Sequence, residues 1–315
     1  MTRTKAAILI SLLLLVPFLS PVQATSIAQD QGKSSIRPSI LAGSWYPASA
    51  DTLRKTVLRY VGQATVPVVK GTLRAIIVPH AGYRYSGRVA AYAYKLLQSH
   101  PFTRIILVGP SHRIPFAGVS VNLQHGYQTP LGIVKVDLKT ARTILNADPA
   151  VHWYKDAHAV EHSLEIQLPF LQTVLKNFTI VPILMGSQDY ETCNMLARVL
   201  SRIMPSLDNT LLLASSDLSH YHDYSTAKAL DARFIELVKD MNPRGLYEAL
   251  RTGQCEACGG GPVISILLAC QALEANRVLI LKTANSGDVT GVKDRVVGYM
   301  AGAIVTSSGM DQRPE

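Results

Sequence analysis

Short apolar runs alternating with segments of helical period constrain this chain more than any other feature. The runs "LRAIIV", "RIILVG", "FTIVPILMG", "NTLLLASS", "RVLILKTANSG" and "RVVGYMAGAIV" read as strands. Between them, "DTLRKTVLRYV", "RVAAYAYKLLQS", "CNMLARVLSRIM", "YSTAKALDARFIELVKDM", "PRGLYEALRTG" and "GPVISILLACQALEA" repeat their apolar residues at helical spacing. Strands of this length separated by helices predict βαβ units and a mainly parallel central sheet flanked by helices. Such a sheet is covered on both faces, which is why its strands are apolar throughout rather than alternating. "GVSVNL" and "GIVKVD" do alternate and predict a hairpin-like excursion. Asp51 is the expected N-cap of the first helix. "VEHSLEIQLPFLQTVL" predicts one helix kinked at Pro169, with Glu161 and Glu165 on one face at i,i+4 spacing. No Pro/Gly/Ser linker divides the chain, so residues 37–307 read as a single α/β domain.

The ends read differently. Residues 1–24 pair a positive "MTRTK" with the apolar "AAILISLLLLVPFL" and close on "VQA", the pattern of a secretory signal peptide. Residues 25–36 read as a flexible polar leader and 308–315 as a disordered tail. The mature protein is therefore expected outside the cytoplasm, periplasmic or extracellular, with no membrane attachment after cleavage. The formal charge is +9, but the basic residues are scattered. With no Lys/Arg run and no basic–aromatic alternation, nucleic acid is excluded as a partner. Nothing in the composition sets the oligomeric state.

Chemistry concentrates where the strands end. "AIIV" runs into Pro79-His80, "RIILVG" into Pro110-Ser111-His112, and "LLLASS" into Asp217-Leu218-Ser219-His220. In an open α/β sheet, ligands bind beyond the carboxyl ends of the parallel strands. One histidine after a strand is more often a cap or a core residue than a ligand, but three such endings in one chain favour a site. Asp217 has its own bland alternative, capping a helix that begins near Tyr224. Imidazoles joined by a thiolate or carboxylate suit zinc, copper or iron, and two histidines with one such group leave open positions. "CGGGP" sets Cys258 at the start of an apolar helix, where a thiol pKa is expected to fall. Cys255 and Cys258 form a CxxC that reads as a redox pair, as half of a metal site, or as accidental spacing. Tyr83, Trp45, Arg84, His162 and Glu161 are candidate substrate-binding residues.

"AGSWYP", "VPHAGYRYSG", "GPSH", "EHSLEIQLPFL", "SSDLSHY" and "ACGGGP" occur together in this order. In that set, spanning roughly residues 37–305, the chain resembles the Memo family, called AmmeMemoRadiSam system protein B in prokaryotes. The resemblance implies a LigB-like fold related to class III extradiol non-haem iron dioxygenases. It also implies one metal ion, iron(II) or copper with zinc ranked below them, on His80, His112 and Cys258. Asp217 and His220 would stand beside it as catalytic residues, with His220 as acid/base. Family members are described as metal-dependent redox proteins and, in animals, as binders of phosphorylated receptor peptides. They are generally read as intracellular, so the export signal is a departure, and in an oxidising compartment a Cys255–Cys258 disulfide would withdraw Cys258 from the metal. The expected function is an exported metal-dependent redox enzyme or dioxygenase acting on a small molecule. The alternatives are a non-catalytic module that captures an anionic ligand or peptide beside Arg84, Arg88 and Tyr83, and a periplasmic metal-binding protein.

Overall fold

A computed structural model describes residues 35–307 of the 315-residue chain. The expected signal peptide, nearly all of the leader and the expected tail lie outside the described residues. Of the leader only residues 35 and 36 are described, and Ile36 already belongs to a strand.

The chain begins with β1 (Ile36–Arg37), α1 (Ala50–Gln63), β2 (Thr72–Val78), α2 (Tyr83–Leu97) and β3 (Arg104–Pro110). An excursion follows: β4 (Val119–Val121), β5 (Gly126–Thr129), β6 (Gly132–Lys135), α3 (Leu138–Leu145), β7 (Val151–His152) and α4 (Lys155–Val160). A 3₁₀ turn over Glu165–Gln167 leads into α5 (Leu168–Val174), β8 (Thr179–Met185), α6 (Tyr190–Ile203) and β9 (Thr210–Ser215). The remainder is β10 (His220–His222), α7 (Tyr224–Lys239), α8 (Pro243–Arg251), α9 (Gly260–Ala272), β11 (Arg277–Asn285), α10 (Ser286–Thr290) and β12 (Val296–Thr306).

The main sheet has nine strands in the order β10-β12-β2-β9-β3-β8-β4-β7, with β11 paired to β12. Its centre, β2, β9, β3 and β8, is parallel. Its flanks are antiparallel where β12 meets β2, β11 and β10, and where β4 meets β8. The reason lies in the connections. Antiparallel neighbours can be joined tightly, as β11 and β12 are through the short α10, whereas parallel neighbours need a full crossover. The parallel strands are buried, with Ile76, Ile106, Val181 and Leu212 solvent-inaccessible, and helices cover the sheet. α9 is apolar on every side because it is enclosed by α6, α8 and the sheet. The two alternating segments do not pair with each other. "GVSVNL" supplies β4 of the main sheet, between β8 and β7. "GIVKVD" supplies β6, whose hairpin partner is β5, "GYQT", and the hairpin with β1 makes a separate three-stranded sheet.

Two local expectations are corrected. The N-cap of α1 is Ser49, whose hydroxyl accepts from Thr52 N; Asp51 sits in the first turn instead. The "EHSLE" segment is not helical from Glu161 to Glu165. α4 stops at Val160, Glu161 is extended (φ −88°, ψ 136°), and helix resumes only at Glu165. The two carboxylates therefore serve different partners.

Arg37 accounts for one of those partners. It is fully buried and anchors β1 to this broken segment. Its guanidinium donates to His158 O (2.5 Å), Glu161 O (2.7 Å) and the Glu165 carboxylate (2.5 Å), and it lies over the Tyr127 ring at 4.9 Å. Glu165 also accepts from Ile40 N, Leu41 N, Ser39 Oγ and Tyr46 Oη (2.6 Å). The charge pair is thus surrounded by hydrogen bonds, the condition under which a buried ion pair is tolerated.

His158, beside it, is a structural histidine. Nε2 lies 3.1 Å from Ser120 O and Nδ1 3.1 Å from Tyr127 Oη, so the neutral ring donates to the carbonyl and accepts from the hydroxyl. Burial, chiefly, lowers its pKa to about 3, and the Arg37 charge acts in the same direction. The unfolded chain therefore binds this proton first as pH falls. The contribution of neutral His158 is complete above the ordinary imidazole pKa and is lost as pH drops toward 3. Wild-type stability is expected to fall below about pH 6.5, with His158 supplying a slope of up to ~1.4 kcal/mol per pH unit. His158→Gln should lower stability at neutral pH and flatten that slope by one proton. Urea unfolding of both proteins from pH 7 to 4 measures it, and equal slopes would contradict the assignment.

Candidate metal centre

Because β2, β3, β8 and β9 run parallel, the residues after them emerge at one edge of the sheet. His80 follows β2, His112 follows β3, and Asp217 to His220 follow β9. His80, His112, Asp217, His220, Trp45, His162 and the Cys255–Cys258 loop line a cavity of about 1380 Å³. The donor atoms of His80, His112 and Cys258 all lie within 4.8 Å of one another.

Each imidazole is oriented from behind. Ser215 Oγ donates to Ser163 O (2.7 Å) and accepts from Gln167 Nε2 (2.8 Å), so at 3.0 Å it accepts from His80 Nδ1 as well. Gln167 is itself fixed by donating to Pro79 O and accepting from Tyr94 Oη. His80 thus carries its proton on Nδ1 and presents the Nε2 lone pair. His112 Nδ1 lies 2.9 Å from Glu161 Oε1. The neighbouring histidine rings and their hydrogen bonds outweigh burial and hold the Glu161 carboxyl well below the usual carboxylate range. Glu161 is therefore an acceptor only, and His112 also presents Nε2. His220 donates Nδ1–H to Leu218 O (2.7 Å) and keeps Nε2 free in the same way.

Cys258 Sγ lies 3.0 Å from His80 Nε2. Burial, chiefly, pushes the thiol well above its ordinary range, with the Asp217 charge adding to it. Backbone groups of Asp217, Cys258 and Gly259 act the other way but do not prevail, so the expected net lowering by the helix start is not observed. Burial also keeps His80 neutral. The pair is an S–H···N hydrogen bond, with its proton where thiolate and imidazole lone pairs converge. The residues fit a transition-metal ion: a cation replacing that proton would gain a sulfur and an imidazole donor at once, with His112 Nε2 as a third.

Asp217 does not cap α7; Asp223 does, accepting from Ser225 N and Thr226 N. Instead Asp217 Oδ1 accepts from His80 N (2.7 Å) and Ala81 N (3.3 Å), and burial raises its pKa to about 7. The 217–220 loop is sewn to β12 by Leu218 N to Gly298 O and Gly298 N to Ser219 O, and Asp231 accepts from Ser219 N. His162 lies beside His112 with ring centroids 4.5 Å apart, and Trp45 packs against it at 4.6 Å.

Other expected residues fall elsewhere. Tyr83 is 3% exposed and donates its hydroxyl to Ile166 O; Tyr85, two residues on, lines the cavity. Arg84 and Arg88 lie against Tyr85 and Tyr60 and are not on the cavity wall, where the guanidinium groups are those of Arg113, Arg251 and Arg295. Cys255 and Cys258 are both free thiols. Cys255 is buried, which raises its pKa to about 11.

Gln188 was not anticipated, although it too follows a parallel strand, β8. Its amide donates to Cys258 O (2.9 Å) and accepts from Gly261 N (2.7 Å), locking the Cys258 turn onto α9. Ser215 and Gln167 were missed because their role is to hold a histidine. Gly259 explains part of "CGGG". A Cβ there would stand 2.7 Å from Ser216 Cβ and closer still to Ser215 O, on backbone that cannot yield. Gly259→Ala is expected to cost about 1–3 kcal/mol by overpacking and to weaken metal uptake by shifting Cys258. Equilibrium dialysis with Co(II) and thermal unfolding check it; wild-type values in both would remove Gly259 from the account.

The family model described as Memo-like protein matches residues 37–303. A MEMO1 family protein of Methanothermobacter thermautotrophicus is 36% identical over 274 residues, 84% of this chain and 98% of that one. One from Methanocaldococcus jannaschii is 37% identical over 288 residues, 86% of this chain and 99% of its own length. The crystal structure of an uncharacterized Escherichia coli K12 protein covers 74% of this chain and 99% of its own, with TM-score 0.52 at 13% identity. That likeness concerns the fold, an α/β domain with a central sheet flanked by helices, consistent with the LigB-like expectation.

Proposed function

Because the chain belongs to the Memo-like family, we propose that it holds one transition-metal ion on His80, His112 and Cys258 and uses it for redox chemistry on a small molecule bound in the cavity. The observation that carries this reading is the convergence of Cys258 Sγ, 3.0 Å from His80 Nε2, on an imidazole that Ser215 fixes from behind. Iron or copper, ranked here ahead of zinc because the reading is redox, would supply one-electron chemistry and Lewis acidity at that point. The protein's own groups would handle protons and fit. Asp217, whose pKa burial raises to about 7, and His220, with a free Nε2, can accept a proton from an acidic hydroxyl on the ligand. Trp45 and Tyr85 offer aromatic walls. The amino-terminal sequence supports export, so the site would work in the periplasm or outside the cell.

Oxygen uptake by protein reconstituted with Fe(II) or Cu, assayed with a thiol or catechol-like reductant, tests this reading. Uptake should stop with chelator and return on adding metal back. Equal rates with and without the ion would overturn it. A second reading, capture of an anionic ligand or peptide without turnover, is favoured by Arg113 and Arg295. Both line the cavity, and neither has an ion pair among the described residues. It predicts thermal stabilisation by phosphate that survives chelation.

A further inference from the structure

Glu161 does more than support His112. Its side chain is 1% exposed, and Oε1 lies 2.9 Å from His112 Nδ1 and 3.1 Å from His162 Nδ1. The same oxygen accepts from His162 N and Ser163 N, both at 2.9 Å, while Oε2 accepts from His112 N at 2.6 Å. All these partners are N–H groups or imidazole nitrogens facing an acceptor-only carboxylate. The broken helix makes this possible. An extended Glu161 after α4 turns its side chain back onto the two residues that follow it, and Arg37 Nη2 holds its carbonyl at 2.7 Å. His162 is a cavity-lining residue packed between Trp45 and His112, its ring edge-on to His80 with centroids 5.3 Å apart. Among the described residues no protein group bonds to His162 Nε2, and no buried side-chain polar atom lacks a partner. That nitrogen therefore opens to the cavity.

We propose that Glu161 is a positioning residue for two imidazoles at once, presenting Nε2 of His112 to the metal and Nε2 of His162 to the bound molecule as a hydrogen-bond acceptor. The inference rests on the metal reading for its first half only. It assigns the ligand a donor group, a hydroxyl or amine, next to the metal position, because an unprotonated imidazole nitrogen can only accept. Glutamine cannot replace Glu161. Whichever way its amide lies, the NH₂ faces His112 N or the three donors on the other side.

The test has two arms. In the first, ¹⁵N-histidine NMR of the chelator-treated wild-type protein, assigned with His112→Gln and His162→Gln, reads the tautomers directly. The expected result is Nδ1–H with unprotonated Nε2 for both rings; an Nε2–H tautomer at either would overturn the proposal. This arm holds even if Glu161→Gln fails to fold or if the wild type binds no metal, a result that would defeat the metal reading alone. In the second arm, Co(II) is titrated into wild type and Glu161→Gln. We expect roughly 10–100-fold weaker binding in the variant, with thiolate-to-cobalt absorption retained through Cys258 and the ligand-field bands shifted by the loosened His112. A variant that folds and matches the wild-type affinity and spectrum would show that Glu161 positions nothing.

Discussion

Cys258→Ala is expected to abolish stoichiometric metal binding while leaving the fold intact. In the proposed site the thiol is one of three donors, and its loss should weaken uptake by more than the ~10–100-fold typical of losing a supporting partner. The side chain is small and sits at a cavity wall, so the stability cost should stay within about 1–2 kcal/mol. Cys255→Ala is the control. Its thiol is a free, buried group three residues away, and the variant should bind metal like the wild type. Metal analysis after dialysis against a weak chelator reads both. If Cys258→Ala keeps its metal, or Cys255→Ala loses it, the ligand set is wrong. A metal-releasing oxidation abolished by Cys255→Ala would support the redox pair.

The largest effect on stability is expected at Arg37. Replacing it with methionine leaves Glu165 fully buried without its cation and strips donors from His158 O and Glu161 O. Breaking a buried pair from one side costs about 3–5 kcal/mol. At roughly 2–4 °C per kcal/mol for a domain approaching this size, Tm should fall on the order of 10 °C. The double variant Arg37→Met/Glu165→Met should recover only part of this, because Ile40 N, Leu41 N and the Tyr46 hydroxyl also lose their acceptor. Arg37→Met should reach the metal site too, since the Glu161 carbonyl is one of its anchors. Chemical denaturation of the single and double variants measures the effect; a single-variant loss under about 1 kcal/mol would mean that the pair behaves as if exposed.

The central sheet and its functional edge were legible because parallel strands are apolar on both faces and stop abruptly. The polar residues after "AIIV", "RIILVG" and "LLLASS" mark one edge of the sheet without any knowledge of the pairing. The direction of β11 and β12 was not legible, because an apolar strand reads the same in either orientation. The broken "EHSLE" helix was missed for a different reason. Its spacing satisfies a helical period, but Glu161 is claimed by His112 and Glu165 by Arg37, tertiary partners that propensity does not contain. Tyr83 and Tyr85 are indistinguishable by residue type, and only the phase of α2 sends one to the core and the other to the cavity. The residues that hold the histidines, Ser215, Gln167 and Gln188, carry no signature of their own. Gln188 could have been found by applying the strand-end argument to β8.

The proposed metal is bound by two imidazoles and a thiolate at the carboxyl ends of β2 and β3 and the start of α9. Anomalous diffraction from crystals of protein purified without chelator, collected above and below the iron and copper edges, tests this most directly. One strong peak is expected in the cavity, within coordination distance of His80 Nε2, His112 Nε2 and Cys258 Sγ, that vanishes below the edge of the bound metal. No peak there after soaking with Fe(II), Cu and Co(II), or a peak whose ligands exclude Cys258, would contradict it.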